Sequence, residues 1–189
     1  MTLLSAITER RAYRALSNES IDESVLNRLA EAARLTPSSG NNQPWRIITV
    51  VEPSTLEKLK EALSRGNYWA MKAPALTAFV TNKKWSLQMG ERSFAYFELG
   101  MAAMAYQLQA TEEHLIVHPM AGFNEKLAKE VLGIGDEEQI FVLVALGKQG
   151  ETSYLNEKHL ASESSQQIRK PLNQIFAFNG WTEDLNPSV

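Results

Sequence analysis

Three arginines fall within five residues, Arg10, Arg11 and Arg14, and a second cationic pair, Arg169-Lys170, lies near the C-terminus. Guanidinium groups suit phosphate because each offers planar, paired donors. A plainer account fits the spacing better: cations at a helix C-terminus complement its dipole and face water. The stretch Thr36–Trp45, TPSSGNNQPW, is the second candidate. Its hydroxyls and carboxamides carry no charge yet are rich in donors and acceptors, which suits a neutral polar ligand lying against it. The chain has no G-x-G-x-x-G and no P-loop, so a phosphate site here is not of the common nucleotide types. There is no cysteine, and His114, His118 and His159 have no metal-binding spacing. Disulfides, thiolate chemistry and metal hydrolysis are therefore not expected.

The elements that must position these residues follow from apolar periodicity. Ser20-Ile21-Asp22-Glu23 reads as a capping box, after which Ile21, Val25, Leu26, Leu29, Ala30 and Ala33 recur at helical spacing until about Leu35, before Pro37. RIITVV is a β-branched run, and Ser54-Thr55-Leu56-Glu57 predicts a second boxed helix reaching about Leu63. ALTAFVT (75–81) and QIFVLVAL (139–146) are strands apolar enough to be covered on both faces. Ser93–Thr111 has apolar positions on every side and predicts a helix buried all round, with Glu98, Gln107 and Gln109 too polar for a membrane span. Asn124 caps a shorter helix ending at Gly133, and residues 148–167 read as a polar excursion before IRKPLNQIFAF.

A chain of 189 residues with 44% apolar content can bury one real core, so a single domain over 1–189 is expected. The net charge of −3 offers no basic footprint, so nucleic acid is not an expected partner. The N-terminal MTLLSAITERR lacks the apolar stretch of a signal peptide, which points to the cytoplasm and to no membrane.

RRAYR, PSSGNNQPWR, GNYWAMKAP, the spine helix, HPMAGF and RKPL occur in the order found in the nitroreductase family of FMN-dependent flavoproteins, which the chain resembles over nearly its whole length. The resemblance implies an α+β fold with a central, mostly antiparallel sheet flanked by helices. It further implies an entwined homodimer with two FMN sites at the subunit interface. Arg10 would face the FMN phosphate with Arg11 beside it, Arg14 would lie nearer the pyrimidine edge, and Arg169 and Lys170 would close over the phosphate. Pro37, Ser38, Ser39 and Asn41 of one subunit would meet a flavin held mainly by the other, with Gln43 nearby. The backbone amides of Ala121 and Gly122 would point at the flavin N5–O4 edge. Asn67 would lie near the flavin and Trp69 near the substrate face, although both equally suit packing. His118 reads as a strand-end residue rather than an acid, and Lys83-Lys84 as a solvated pair rather than an NADPH phosphate site.

The sequence departs from the family pattern at Ala12, where Ser is common, at Ala121, where Glu is common, and at Glu113-His114, near a usual Gly. The implied activity is ping-pong reduction of nitroaromatics, quinones or similar electron-poor acceptors, with NADH or NADPH as co-substrate, no catalytic side chain and no metal. Alternatives on the same fold are flavin fragmentation, dehalogenation or dehydrogenation under a lid, for which 83–93 is the candidate segment. A non-catalytic FMN sensor or store is a further alternative.

Overall fold

The β-branched and apolar runs pair into one sheet in the computed structural model, which describes residues 3–186; the outermost ends of the expected 1–189 domain lie outside the described residues. In chain order the elements are α1 (Ser5–Glu9), α2 (Glu23–Arg34), β1 (Arg46–Val50), α3 (Pro53–Glu61), β2 (Ala75–Thr81) and a short β3 (Gln88–Met89) paired with β4 (Arg92–Ser93). Then come α4 (Ala95–Glu112), β5 (Ile116–Met120), α5 (Glu125–Leu132), β6 (Gln139–Gly147) and α6 (Glu157–Ser164).

The main sheet runs β1-β2-β6-β5, antiparallel throughout. Every residue of β2 is buried, as its largely apolar run predicts. Successive side chains enter opposite faces: Leu76, Ala78 and Val80 join one core with α3 and α5, while Ala75 and Phe79 join the other with α2 and α4. Thr77 is tolerated among them because its hydroxyl bonds both Thr49 and Tyr106. The register slips between Phe79 and Val80, so Phe141 on β6 turns outward and packs tilted against Tyr96, ring centroids 5.1 Å apart. Pro119, which has no N–H for a ladder, sits on the edge strand β5.

Asn124 caps α5 by accepting from Leu127 N–H, and Gly133 ends that helix with φ +66°, both as predicted. Three expectations need correction. Helix α2 starts after Asp22, leaving Ser20 outside it and the capping box unused. Helix α3 is capped by Glu52, whose carboxylate accepts from Ser54 and Thr55 N–H at 2.9 and 2.8 Å. Pro53 decides this, because its fixed φ and missing N–H suit the first helical position. Those donors hold Glu52 down at about 2.

The third correction concerns α4, which is not buried all round within one chain. Ala95, Glu98, Leu99, Ala102, Tyr106 and Ala110 face inward, but Phe97 and Met104 are 63% and 38% exposed. The helix ends without a glycine. His114 takes the left-handed position at φ +57°, with Leu115 N–H reaching Ala110 C=O and His114 N–H reaching Thr111 C=O. Glu113 beside it forms a two-pronged ion pair with Arg28 of α2, at 2.6 and 2.8 Å.

Candidate functional site

The cationic half of the site is a half-buried, extended segment, residues 10–14, that follows α1. Arg10 caps the C-terminus of α1, as the helix-dipole account expects, but it does not simply face water. Burial, and then the neighbouring charges of Arg169 and Arg11, push its guanidinium below the ordinary value. Arg169, far along the chain, is therefore folded back beside Arg10. Arg14 lies over the Trp69 ring at 6.0 Å and Arg11 over Tyr13 at 5.1 Å. Among the described residues none of the four pairs with a carboxylate. Lys170 is exposed and forms no hydrogen bond or ion pair among the described residues, so the structure does not draw it into the cluster.

The supposed excursion 148–167 is what fixes this segment. Glu163 on α6 accepts from the backbone N–H of Arg14 and Ala15, at 2.8 and 3.3 Å. The Tyr154 hydroxyl bonds Arg14 C=O and Leu16 N–H, Ser165 C=O takes Arg11 Nη2, and Gln167 Nε2 reaches Arg10 C=O. Helix α6 is itself held by Tyr68, which stacks on His159 and accepts from Asn156 N–H. No local spacing in the sequence announces Tyr154, Glu163 or Gln167.

At the end of β5, the exposed backbone N–H groups of Ala121 and Gly122 find no acceptor among the described residues. The Gly122 carbonyl takes Asn67 Nδ2 at 2.8 Å and Ser64 N–H at 3.0 Å. A Cβ at Gly122 would meet Ser64 Oγ at 2.5 Å, so a side chain there would have to displace that hydroxyl. Asn67 thus fixes the 121–122 turn. Trp69 is 1% exposed and packs in the core against His118, ring centroids 4.3 Å apart, so it lines no substrate face. His118 lies within β5, with Nδ1 3.1 Å from Tyr13 C=O. Burial, aided by the charges of Arg14 and Arg10, lowers it to about 4. The ring is neutral at pH 7 and offers no acid.

The uncharged half is the loop before β1. Ser38 Oγ accepts Gln43 N–H at 2.8 Å, and Gln43 Nε2 returns to Asn41. Gly40, Asn41 and Gln43 have φ of +58°, +56° and +48°. For the two non-glycine residues this costs on the order of 1 kcal/mol each. The loop is tied down from outside: Ser39 N–H donates to buried Glu98 at 2.6 Å, and Thr81 Oγ1 donates to Pro44 C=O at 2.5 Å. Glu98 was legible in the sequence only as an interruption of an apolar helix. Pro37 borders an apolar recess with Leu35, Met101, Met104 and Leu108. Trp45 is buried in the core.

The two halves are not brought together within one chain. The loop 37–45 leads into edge strand β1 and the cationic half packs on edge strand β5, three strand spacings or about 14 Å apart. Grooves of about 680 and 620 Å³, around Asn18 and Lys72, contain none of the candidate residues. Lys84 pairs with Glu137 and Lys83 lies 5.6 Å from the Tyr96 ring, so neither waits for a phosphate. Among the described residues no helix is long and apolar enough to cross a membrane, and no His, Asp or Glu group is arranged for a metal.

Residues 7–148 match the model of the nitroreductase family. An NADH dehydrogenase of Thermus thermophilus is 28% identical over 79% of this chain and 88% of its own. The fold superposes on a crystallised FMN-containing oxidoreductase with a TM-score of 0.84, at 23% identity and covering 96% and 94% of the two chains. A nitroreductase family protein from Clostridium difficile gives 0.77, at 21% identity, covering 96% of this chain and all of the other.

Proposed function

The chain belongs to the nitroreductase family, and on that premise we propose that it is a homodimeric FMN-dependent oxidoreductase. It takes electrons from NADH or NADPH and passes them to nitroaromatics, quinones or similar electron-poor acceptors by a ping-pong mechanism. One flavin-binding domain over residues 1–189 carries the activity, and we place it in the cytoplasm.

The observation that supports this reading best is the gathering of Arg10, Arg11, Arg14 and Arg169, whose guanidinium groups form no ion pair among the described residues, the nearby Glu163 carboxylate being taken up by backbone N–H groups. Mutual repulsion in a half-buried site is relieved by a bound anion, and a terminal phosphate fits planar guanidinium donors. The free N–H groups of Ala121 and Gly122, and the uncharged Pro37, Ser38, Ser39, Asn41 and Gln43, fit a neutral, acceptor-rich ring. The residues present therefore suit FMN. Lys170 keeps a lesser role at the phosphate.

When bound, FMN supplies the redox chemistry. The protein's part is placement. Arg10 and Arg169 hold the phosphate, and the Ala121 and Gly122 amides orient the ring through donors that Asn67 keeps in position. His118, held neutral, stays out of proton transfer at pH 7. No side chain acts as nucleophile or base.

The partner subunit enters because the two halves sit at opposite sheet edges of one chain. The exposed apolar face of α4 and the exposed Ile168, Leu172, Phe178 and Trp181 supply the surface that a large interface needs. The 83–93 segment is a small hairpin pinned at Trp85 and Lys84, which favours an open acceptor site over a lidded one.

Purified protein should be yellow or become so on adding FMN, and should oxidise NADH or NADPH with a nitroaromatic or quinone. Protein that stays colourless after reconstitution would refute the proposal.

A further inference from the structure

Glu98 is 1% exposed in the first turn of α4 and has no cationic partner among the described residues. The positive end of the helix dipole favours an acid there. Its two oxygens are divided between two separate segments. Oε1 accepts Ser39 N–H at 2.6 Å, and Oε2 accepts the Ser86 hydroxyl at 2.5 Å. A second bridge joins the same segments. Arg46 Nη1 donates to the carbonyls of Gln43 and Trp45, at 3.2 and 2.7 Å, while its guanidinium lies 4.7 Å from the Trp85 ring. The loop so anchored is the one that holds Gly40, Asn41 and Gln43 at positive φ. A loop in that conformation relaxes unless its surroundings over-determine it.

We infer that Glu98 is a positioning residue that locks the loop 38–43 in its ring-facing conformation and couples it to the 82–93 segment through Ser86. The inference rests on the proposed FMN site, because only there does the conformation of this loop matter for turnover. It makes the hairpin around Gly90 part of the flavin site, so that a shift in its seating is felt at Ser39.

The coupling acts on the ring side of the flavin and not on the phosphate side, and this sets the test. Holoenzyme Glu98→Leu should lose affinity for FMN and for riboflavin by the same factor, about tenfold or more for a lost bond to a charged group. At saturating FMN its visible circular dichroism should still differ from wild type. Glu98→Gln keeps an acceptor oxygen for Ser39 N–H and should restore most of the affinity. Ser86→Ala, which leaves that bond intact, should change the visible circular dichroism in the same sense by a smaller amount. If Glu98→Leu does not fold, Ser86→Ala decides the matter by its visible circular dichroism. Wild-type affinities in a folded Glu98→Leu, or a wild-type spectrum in Ser86→Ala, would overturn the inference, as would a loss confined to FMN. A wild-type protein that binds neither flavin would instead overturn the functional reading itself.

Discussion

Replacing Arg10 by Ala removes one guanidinium from the cluster at the end of α1. A charge-assisted hydrogen bond of roughly 1.5–3 kcal/mol is lost, so FMN affinity should fall about tenfold to a hundredfold. Riboflavin, which has no phosphate, should bind the variant as it binds wild type, and equal FMN affinities would refute the role of Arg10. His118 gives a pH prediction. The unfolded chain binds a proton as pH falls through 6.5, while the folded chain refuses it until about 4. Stability from the neutral ring is complete above 6.5, is lost between 6.5 and 4, and is level below 4. Urea titrations of His118→Leu should therefore show a shallower fall across that window, the difference reaching about 3 kcal/mol. Parallel profiles would show that His118 is not held neutral. At this scale the sequence was only partly legible. Spacing alone favoured solvated arginines, and only the family resemblance pointed to a phosphate. The resemblance puts Asn67 near the flavin, but that it bonds Gly122 and fastens the turn depends on a contact between residues 55 apart.

The elements were more legible than their ends. β2 was readable to the residue because burial on both faces leaves a run without charge and broken only by threonine, whereas β5 carries His118 and Pro119 and is recognisable only from its place at the sheet edge. The Ser-x-x-Glu pattern misled at both helix starts, since it specifies a cap only if the chain outside it turns correctly, and Pro53 overrode it. The end of α4 offers a clean test. His114 holds the left-handed position at a cost glycine avoids, partly offset by the extra freedom glycine gains when unfolded. His114→Gly should stabilise by about 0.5–1 kcal/mol, raising Tm by about 1–4 °C in calorimetry. A lower Tm would mean that the imidazole makes a compensating contact. Glu113, paired with Arg28, is held at about 2. Its contribution is complete above its ordinary value of 4.5 and fades as pH falls toward 2, so Arg28→Ala should lose stability at pH 7 but little at pH 2.

For the whole molecule, the apolar face of α4 exposed in one chain departs from the reading that it is buried all round, and the second subunit of the proposed dimer would cover it. If each flavin is shared, an Arg10→Ala/Arg169→Ala protein and a Ser39→Trp/Asn41→Ala protein should each be nearly inactive. Co-expressed, they should form heterodimers with one intact site and regain activity. Confirmed heterodimers without activity, or an active monomer in light scattering, would refute the shared site. The polar strap of residues 148–167 has a consequence of another kind, for the order of events during biosynthesis. Arg14 N–H bonds Glu163 across 149 residues of chain. The arginine segment is among the first parts translated, yet its fastening does not exist until Glu163 has been made, roughly 7–30 s later at 5–20 residues per second. Nascent chains stalled before Tyr154 should therefore be cut readily by trypsin at Arg10, Arg11 and Arg14, and finished chains should resist. If the proposed site is the one that holds FMN, the cofactor is captured only by a polypeptide whose synthesis is nearly over, and flavin supply cannot guide the early folding of that site.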